Sequence, residues 1–134
     1  MKPVNIMKLW ATCVVVVCFC DLVFAQPLAP GGTRTDLLQN AYSISTMHPA
    51  FSWVVQDTDQ NEIQSAYRIV LSGRLSDVIA EHYLFDTGWI VSSDNTSVHV
   101  NDISAVLQPN SLYYWQVQVK DKSGAESLLS APNA

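Results

Sequence analysis

Leu112-Tyr113-Tyr114-Trp115-Gln116-Val117-Gln118-Val119-Lys120-Asp121 is the stretch that decides the fold. Tyr113, Trp115, Val117 and Val119 alternate with Tyr114, Gln116, Gln118 and Lys120. One face is aromatic and β-branched and the other polar, the period-two pattern of a strand with one side in a core. Asp121-Lys122-Ser123-Gly124 then turns the chain, and Glu126 to Ser130 is expected to return as an edge strand.

Two further strands read the same way. Phe51, Trp53 and Val55 alternate with Ser52, Val54 and Gln56, just after Pro49, where a strand start tolerates a missing donor. Tyr67, Ile69 and Leu71 alternate with Arg68, Val70 and Ser72 and stop at Gly73. A polar loop, Asp57 to Glu62, separates them. Shorter strands are expected at Leu84–Gly88 and Val98–Val100, with a short first strand inside Asp36–Ser45. Leu75 to Tyr83 reads either as a helical turn capped by Ser76 or as an irregular crossing. Gln26 to Thr35 holds Pro27, Pro30, Gly31 and Gly32 and reads as a flexible lead-in rather than an element. Many short strands between turn signals make an all-β sandwich over residues 36–134.

Residues 1–25 read as a signal peptide. Lys2 and Lys8 form a basic start, Leu9 to Phe19 an apolar run, and Val23-Phe24-Ala25 a small-residue exit before Gln26. A spanning helix needs roughly 20 apolar residues, and Asp21 cuts this run short. The expected destination is secreted or periplasmic, with no membrane contact once the signal is removed. The alternative is a lipoprotein acylated at Cys20, disfavoured because Phe19 stands where a small residue is usual. Cys13, Cys18 and Cys20, all the cysteines of the chain, lie in this segment, so residues 26–134 have neither a disulfide framework nor a thiolate metal site. The net charge of −5 argues against nucleic acid as a partner, since that binding relies on Lys and Arg neutralising phosphates.

Little in the chain carries chemistry. Asp57, Asp59 and Glu62 lie in one loop, so they read as solvated turn formers rather than the facing carboxyl pair of glycoside hydrolysis. The same loop starts like a calcium loop, but Glu62 replaces the required glycine and Arg68 the closing glutamate. His48, His82 and His99 share no ligand spacing, and no Gly-x-Ser-x-Gly elbow supports a nucleophile. No cofactor is expected. Trp53, Tyr67, Tyr113 and Trp115 read as core. Trp89 and Tyr114 are the candidates for surface contact, either with a sugar face or with a neighbouring domain. Asn95-Thr96-Ser97 is a glycosylation sequon, relevant only in a host that glycosylates exported proteins.

Leu107-Gln108-Pro109-Asn110-Ser111-Leu112-Tyr113 resembles the turn before strand F of fibronectin type III domains. That resemblance implies a fibronectin type III/immunoglobulin-like β-sandwich and a Pro109 turn leading to Tyr113, whose hydroxyl bonds back across the corner. It also matches Trp53 and Tyr67 to the family's strand-B tryptophan and strand-C tyrosine. A narrower resemblance lies in motif order. Pro49-Ala50-Phe51-Ser52-Trp53, Gln64-Ser65-Ala66-Tyr67-Arg68-Ile69, Asp86-Thr87-Gly88 and Tyr113 to Asp121 together look like the N-terminal sandwich module of bacterial α-L-rhamnosidases. The Asn40-Ala41-Tyr42-Ser43-Ile44 segment departs from the relatives' Asn-Pro-x-Gly. The resemblance places the catalytic acids in a helical barrel far beyond Ala134, so no catalytic residue carries over and the chain alone is not expected to be an enzyme. It implies a non-catalytic accessory module, a short or truncated gene product, whose partners are neighbouring glycoside hydrolase domains. The alternative is a stand-alone carbohydrate-binding or adhesion module for plant-type glycans.

Overall fold

The computed structural model describes residues 26–57 and 63–134. The expected signal peptide, with Cys13, Cys18 and Cys20, lies outside the described residues, as do Asp59, Asn61 and Glu62. The chain forms β1 (Leu28–Thr35), β2 (Ala50–Gln56), β3 (Ala66–Ser72), α1 (Leu75–Ile79), β4 (Phe85–Asp86), β5 (Ile90–Val91), β6 (Val98–His99), a 3-10 turn (Ile103–Ala105) and β7 (Tyr114–Lys120). One sheet runs β1-β2-β6; in the other, β3 pairs with β4 and β5 on one edge and with β7 on the other. All these pairings are antiparallel. The molecule is therefore an all-β sandwich.

The three alternating segments supply the core. Phe51 and Trp53 from β2 face Tyr67, Ile69 and Leu71 from β3 and Trp115, Val117 and Val119 from β7. Phe51 meets Trp115 edge to face at 4.7 Å between ring centroids, and Trp53 meets Tyr67 at 5.2 Å. Offset and edge-on contacts suit the ring quadrupoles, so the pairs add specificity to the burial.

Four expectations need correction. The Pro- and Gly-rich lead-in, Gln26 to Thr35, is mostly strand. Leu28, Gly31 and Arg34 face Gln56, Val54 and Ser52, so β1 advances three residues for every two of β2, with register shifts at each step. Edge strands accept proline and glycine at such bulges. A Cβ on Gly31 would come 2.6 Å from the Gln56 side-chain amide, so the end of that flexible side chain lies against the bare backbone of β1. Second, Asp36 to Ser45 contains no strand. Asp36, Leu37 and Asn40 all have positive φ, which breaks extended pairing. Instead Asp36 clasps Ala50: its backbone N–H donates to the Ala50 carbonyl, and its carboxylate accepts the Ala50 N–H, each at 2.8 Å.

Third, Ser76 does not cap α1. Arg74 holds the extended N-cap position without a side-chain bond, and the Ser76 hydroxyl turns to Asp77 at 3.2 Å. Fourth, the outer faces of β3 and β7 are not simply solvated. Val70 and Ser72 are buried, α1 packs across both strands and buries Val78, and Gln116 is buried beneath the C-terminal segment. A polar residue in a strand pattern faces water only if nothing later in the chain covers it.

That C-terminal segment returns along β7, as expected, but not as a regular strand. The backbone N–H groups of Ser127, Ser130 and Asn133 donate to the carbonyls of Val119, Val117 and Trp115 at 2.8–3.0 Å. In return, the Val119 and Val117 N–H groups donate to the hydroxyls of Ser127 and Ser130, each at 3.0 Å. A side chain thus stands where a carbonyl would normally accept, and every third residue faces the sheet.

Candidate functional site

The corner before β7 is built from a short turn. Pro109 is exposed and fixes its own φ, and Asn110 takes the left-handed φ of 55° that asparagine tolerates. The chain then reverses so that the half-buried Tyr113 ring points back. Its hydroxyl accepts the Gln108 N–H at 2.8 Å and donates to the Val106 carbonyl at 3.2 Å. One side chain therefore ties the end of the corner back to its start at Val106 and Gln108.

Two tryptophans are held by buried bonds that the sequence did not disclose. The Trp53 indole N–H donates to the Gln64 side-chain oxygen at 2.8 Å. The Gln64 amide in turn donates to the carbonyls of Ser92 and Asp94 at 3.0 and 2.9 Å. Gln64 thus ties β2 to the loop after β5, which explains a glutamine before Ala66-Tyr67. The Trp115 indole N–H donates to the Thr35 hydroxyl at 2.9 Å, joining β7 to β1 across the sandwich. Burial, then the nearby Asp94 carboxylate, pushes the Tyr67 phenol above its ordinary range.

Asp86-Thr87-Gly88 also has a local, structural chemistry. Arg68 grips the Asp86 carboxylate with two bonds of 2.9 and 2.6 Å, and the Gly88 N–H donates to the same carboxylate at 2.8 Å. The Arg68 bond, followed by that N–H, lowers the Asp86 pKa despite partial burial. Thr87 accepts the Ile69 N–H at 2.9 Å, and Gly88 turns with φ of 62°. The motif fastens the edge of β3. At Asp121, burial raises the carboxyl pKa, but bonds from Ser123 and from nearby backbone N–H groups outweigh it and hold the carboxyl low. This closes the turn after β7.

The surface aromatics are not brought together. Tyr114 begins β7, opposite Ser72, and Lys120 ends it, opposite Ala66. The Lys120 ammonium lies over the Trp89 ring at 4.3 Å and also pairs with Glu126 at 3.0 Å. Six residues of strand put Tyr114 about 20 Å from the Lys120 end. Both aromatics are half-buried, and one face of Trp89 already carries a cation. His48, His82 and His99 are exposed at separate places, and among the described residues no group of His, Cys, Asp or Glu is placed to hold a metal ion.

An open groove of about 170 Å³ lies at one pole. Its walls are the 41–49 segment and the 107–113 corner, its floor includes Phe51, Leu71 and Trp115, and Ala134 lies on its margin.

Comparisons with known proteins agree with this geometry. The family described as the Rha78A-like, N-terminal immunoglobulin domain matches residues 30–134. An α-L-rhamnosidase of Streptomyces avermitilis is 30% identical over 98 residues, which cover 73% of this chain and 9% of that protein. An α-L-rhamnosidase of Formosa agariphila is 32% identical over 94 residues, covering 69% of this chain and 10% of its own length. The chain thus spans about a tenth of these relatives. Among solved structures, the α-L-rhamnosidase from Dictyoglumus thermophilum superposes with a TM-score of 0.72 at 26% identity, over 78% of this chain and 12% of that one. The Streptomyces avermitilis α-L-rhamnosidase, complexed with L-rhamnose, gives 0.71 at 26% identity, over 78% of this chain and 10% of that one. With its sandwich, its tyrosine corner and this match, the chain belongs to the family of Rha78A-like N-terminal immunoglobulin domains.

Proposed function

We propose that the chain is a non-catalytic accessory module of an exported α-L-rhamnosidase-like glycoside hydrolase, and that its work is to pack against neighbouring domains. One observation carries this reading: the match lies in an N-terminal immunoglobulin domain and spans only 9% and 10% of the α-L-rhamnosidases it resembles. The motifs that carry the resemblance support it, because in this chain Trp53, Gln64, Asp86, Thr87 and Tyr113 make intramolecular bonds that build the sandwich. Export is part of the proposal, supported by the basic start, apolar run and small-residue exit before Gln26. N-terminal sequencing of the exported product should begin at Gln26; a product that retains Met1 or begins at Cys20 refutes that cleavage.

The competing role is sugar binding. The distance between Tyr114 and Trp89, and the Lys120 ammonium over Trp89, argue against an aromatic platform. A glycan array with the wild-type chain beside Trp89→Ala tests this. We expect equal, negligible signals from both. A wild-type signal that the substitution abolishes overturns the packing role in favour of a carbohydrate-binding one.

A further inference from the structure

Asn95-Thr96-Ser97 is the one place in the chain where an asparagine is followed two residues later by a serine or threonine, with no proline between them. That spacing is the acceptor signal for an N-linked oligosaccharide, and it needs a surface position in an exported protein.

The fold supplies such a position. The Trp53 N–H donates to the Asn95 carbonyl and the Ser97 N–H to the Ser52 hydroxyl, each at 2.9 Å. These bonds lay residues 95–97 along β2 just ahead of β6, with Ser97 in the left-handed region at φ of 52°. Gln64 fixes the base of the same loop through the Ser92 and Asp94 carbonyls. Thr96 and Ser97 are exposed and Asn95 is half-buried. The Asn95 Oδ1 accepts the adjacent Thr96 hydroxyl at 3.4 Å, and among the described residues nothing accepts from its Nδ2. The backbone of the triplet is thus held by the sandwich, while the nitrogen that would carry a sugar is not engaged by it.

The edge beside it is also uncovered. β6 is two residues long and ends the β1-β2-β6 sheet, and among the described residues no strand pairs with its outer side. Unpaired backbone groups on a sheet edge are a template for another chain, and proteins blunt them with charges, proline or a covering element. Asn95 to His99 contains no Asp, Glu, Lys, Arg or Pro.

We propose that Asn95 is an N-glycan acceptor and that its glycan covers the β6 edge. The Asn95 Nδ2 attacks the anomeric carbon of an oligosaccharide carried on a lipid pyrophosphate. A C–N bond forms, the C–O bond to the pyrophosphate breaks, the lipid pyrophosphate leaves, and the amide gives up one proton. The inference rests on the export reading, because the chain meets this donor on the secretory path.

Expression of the 134-residue chain in a eukaryotic host that N-glycosylates secreted proteins tests it. The product in the medium should run as a heavier species that a glycan-removing amidase collapses, leaving aspartate at position 95 on peptide mapping. Asn95→Gln and Ser97→Ala should each abolish the shift and still reach the medium, whereas Ser97→Thr, which keeps the hydroxyl, should retain it. Light scattering of the amidase-treated protein should show mass rising with concentration, while the glycosylated protein stays monomeric. A chain secreted without a glycan at position 95 overturns the inference and leaves export standing. A chain retained in the cells with residues 1–25 attached and no glycan overturns both. A shift that survives Asn95→Gln places the glycan elsewhere and refutes the acceptor. Equal association with and without the glycan refutes the covering role.

Discussion

Replacing Gln64 by leucine removes three hydrogen bonds without opening a large cavity. The Trp53 indole loses its acceptor at 2.8 Å, and the Ser92 and Asp94 carbonyls lose their donors at 3.0 and 2.9 Å. The Trp53–Gln64 bond is buried, so water does not readily replace it. A typical bond contributes about 1 kcal/mol net, and a buried group left without a partner costs about 1–3 kcal/mol. The two carbonyls lie nearer the surface and recover part of their loss from water. The sum is about 3 kcal/mol. With a urea m-value of about 2 kcal/mol/M, the midpoint falls by about 1.5 M. The assay is equilibrium unfolding in urea followed by tryptophan fluorescence, with Trp53 itself beside the lesion. Gln118→Leu is the control, because it removes only the bond to the Ser127 carbonyl at 2.7 Å and should cost about 1 kcal/mol. If Gln64→Leu falls within about 0.5 kcal/mol of wild type, as an ordinary surface substitution does, the hub does not hold the sandwich and the reasoning fails.

Tyr113→Phe keeps the ring and deletes the hydroxyl that spans Val106 and Gln108. It should cost about 1–2 kcal/mol in the same urea experiment, and no loss would mean that the corner is decorative. Ser127→Ala with Ser130→Ala leaves the Val119 and Val117 N–H groups without acceptors. The pair should lose about 2–4 kcal/mol and show faster amide exchange at both positions, whereas unchanged exchange would contradict the hydroxyl-for-carbonyl pairing. Acid should destabilise the fold through Asp86 and Asp121. Both folded pKa values are lowered, so their stabilisation is complete above the ordinary carboxylate range and is lost as pH falls through the lowered folded values. Thermal melts from neutral to strongly acidic pH should show this limb, and Asp86→Asn should flatten it while lowering Tm at neutral pH. An acid limb identical in the variant counts against the Arg68 contribution.

The parts of the fold legible in the sequence are those where burial follows local pattern. In β2, β3 and β7, alternation placed Phe51, Trp53, Tyr67, Ile69, Leu71, Trp115, Val117 and Val119 on inward faces, and these residues form the core. The Leu107 to Tyr113 corner was legible because a Pro109 turn and a tyrosine are local chemistry. Other parts depend on partners distant in sequence. Gly31 and Gly32 look like loop residues until β2 is beside them to require a bulge. Gln116 looks like a surface residue until Ser130 lies over it. Gln64 gives no sign of its bond to Trp53, because nothing in periodicity reports a buried indole N–H seeking an acceptor. The Ser127-x-x-Ser130-x-x-Asn133 spacing was the one signal for the C-terminal clasp. It was missed because a period of three belongs to neither the helix nor the regular strand.

Sequence reasoning singled out Trp89 and Tyr114 by type, but position on β7 separates them, while Tyr42 and Leu112, which were not singled out, share a groove with the chain's last residue. Apolar side chains in irregular segments have no periodicity to assign them inward or outward. Only the fold shows which of them meet.

The proposed accessory role leaves hydrolysis to other domains. Turnover of an aryl α-L-rhamnoside tests it most directly, with the purified chain run beside the Streptomyces avermitilis α-L-rhamnosidase. An accessory module should give no release above the buffer rate, while the enzyme hydrolyses the substrate. Release that purifies with the chain and disappears when it is unfolded would contradict it.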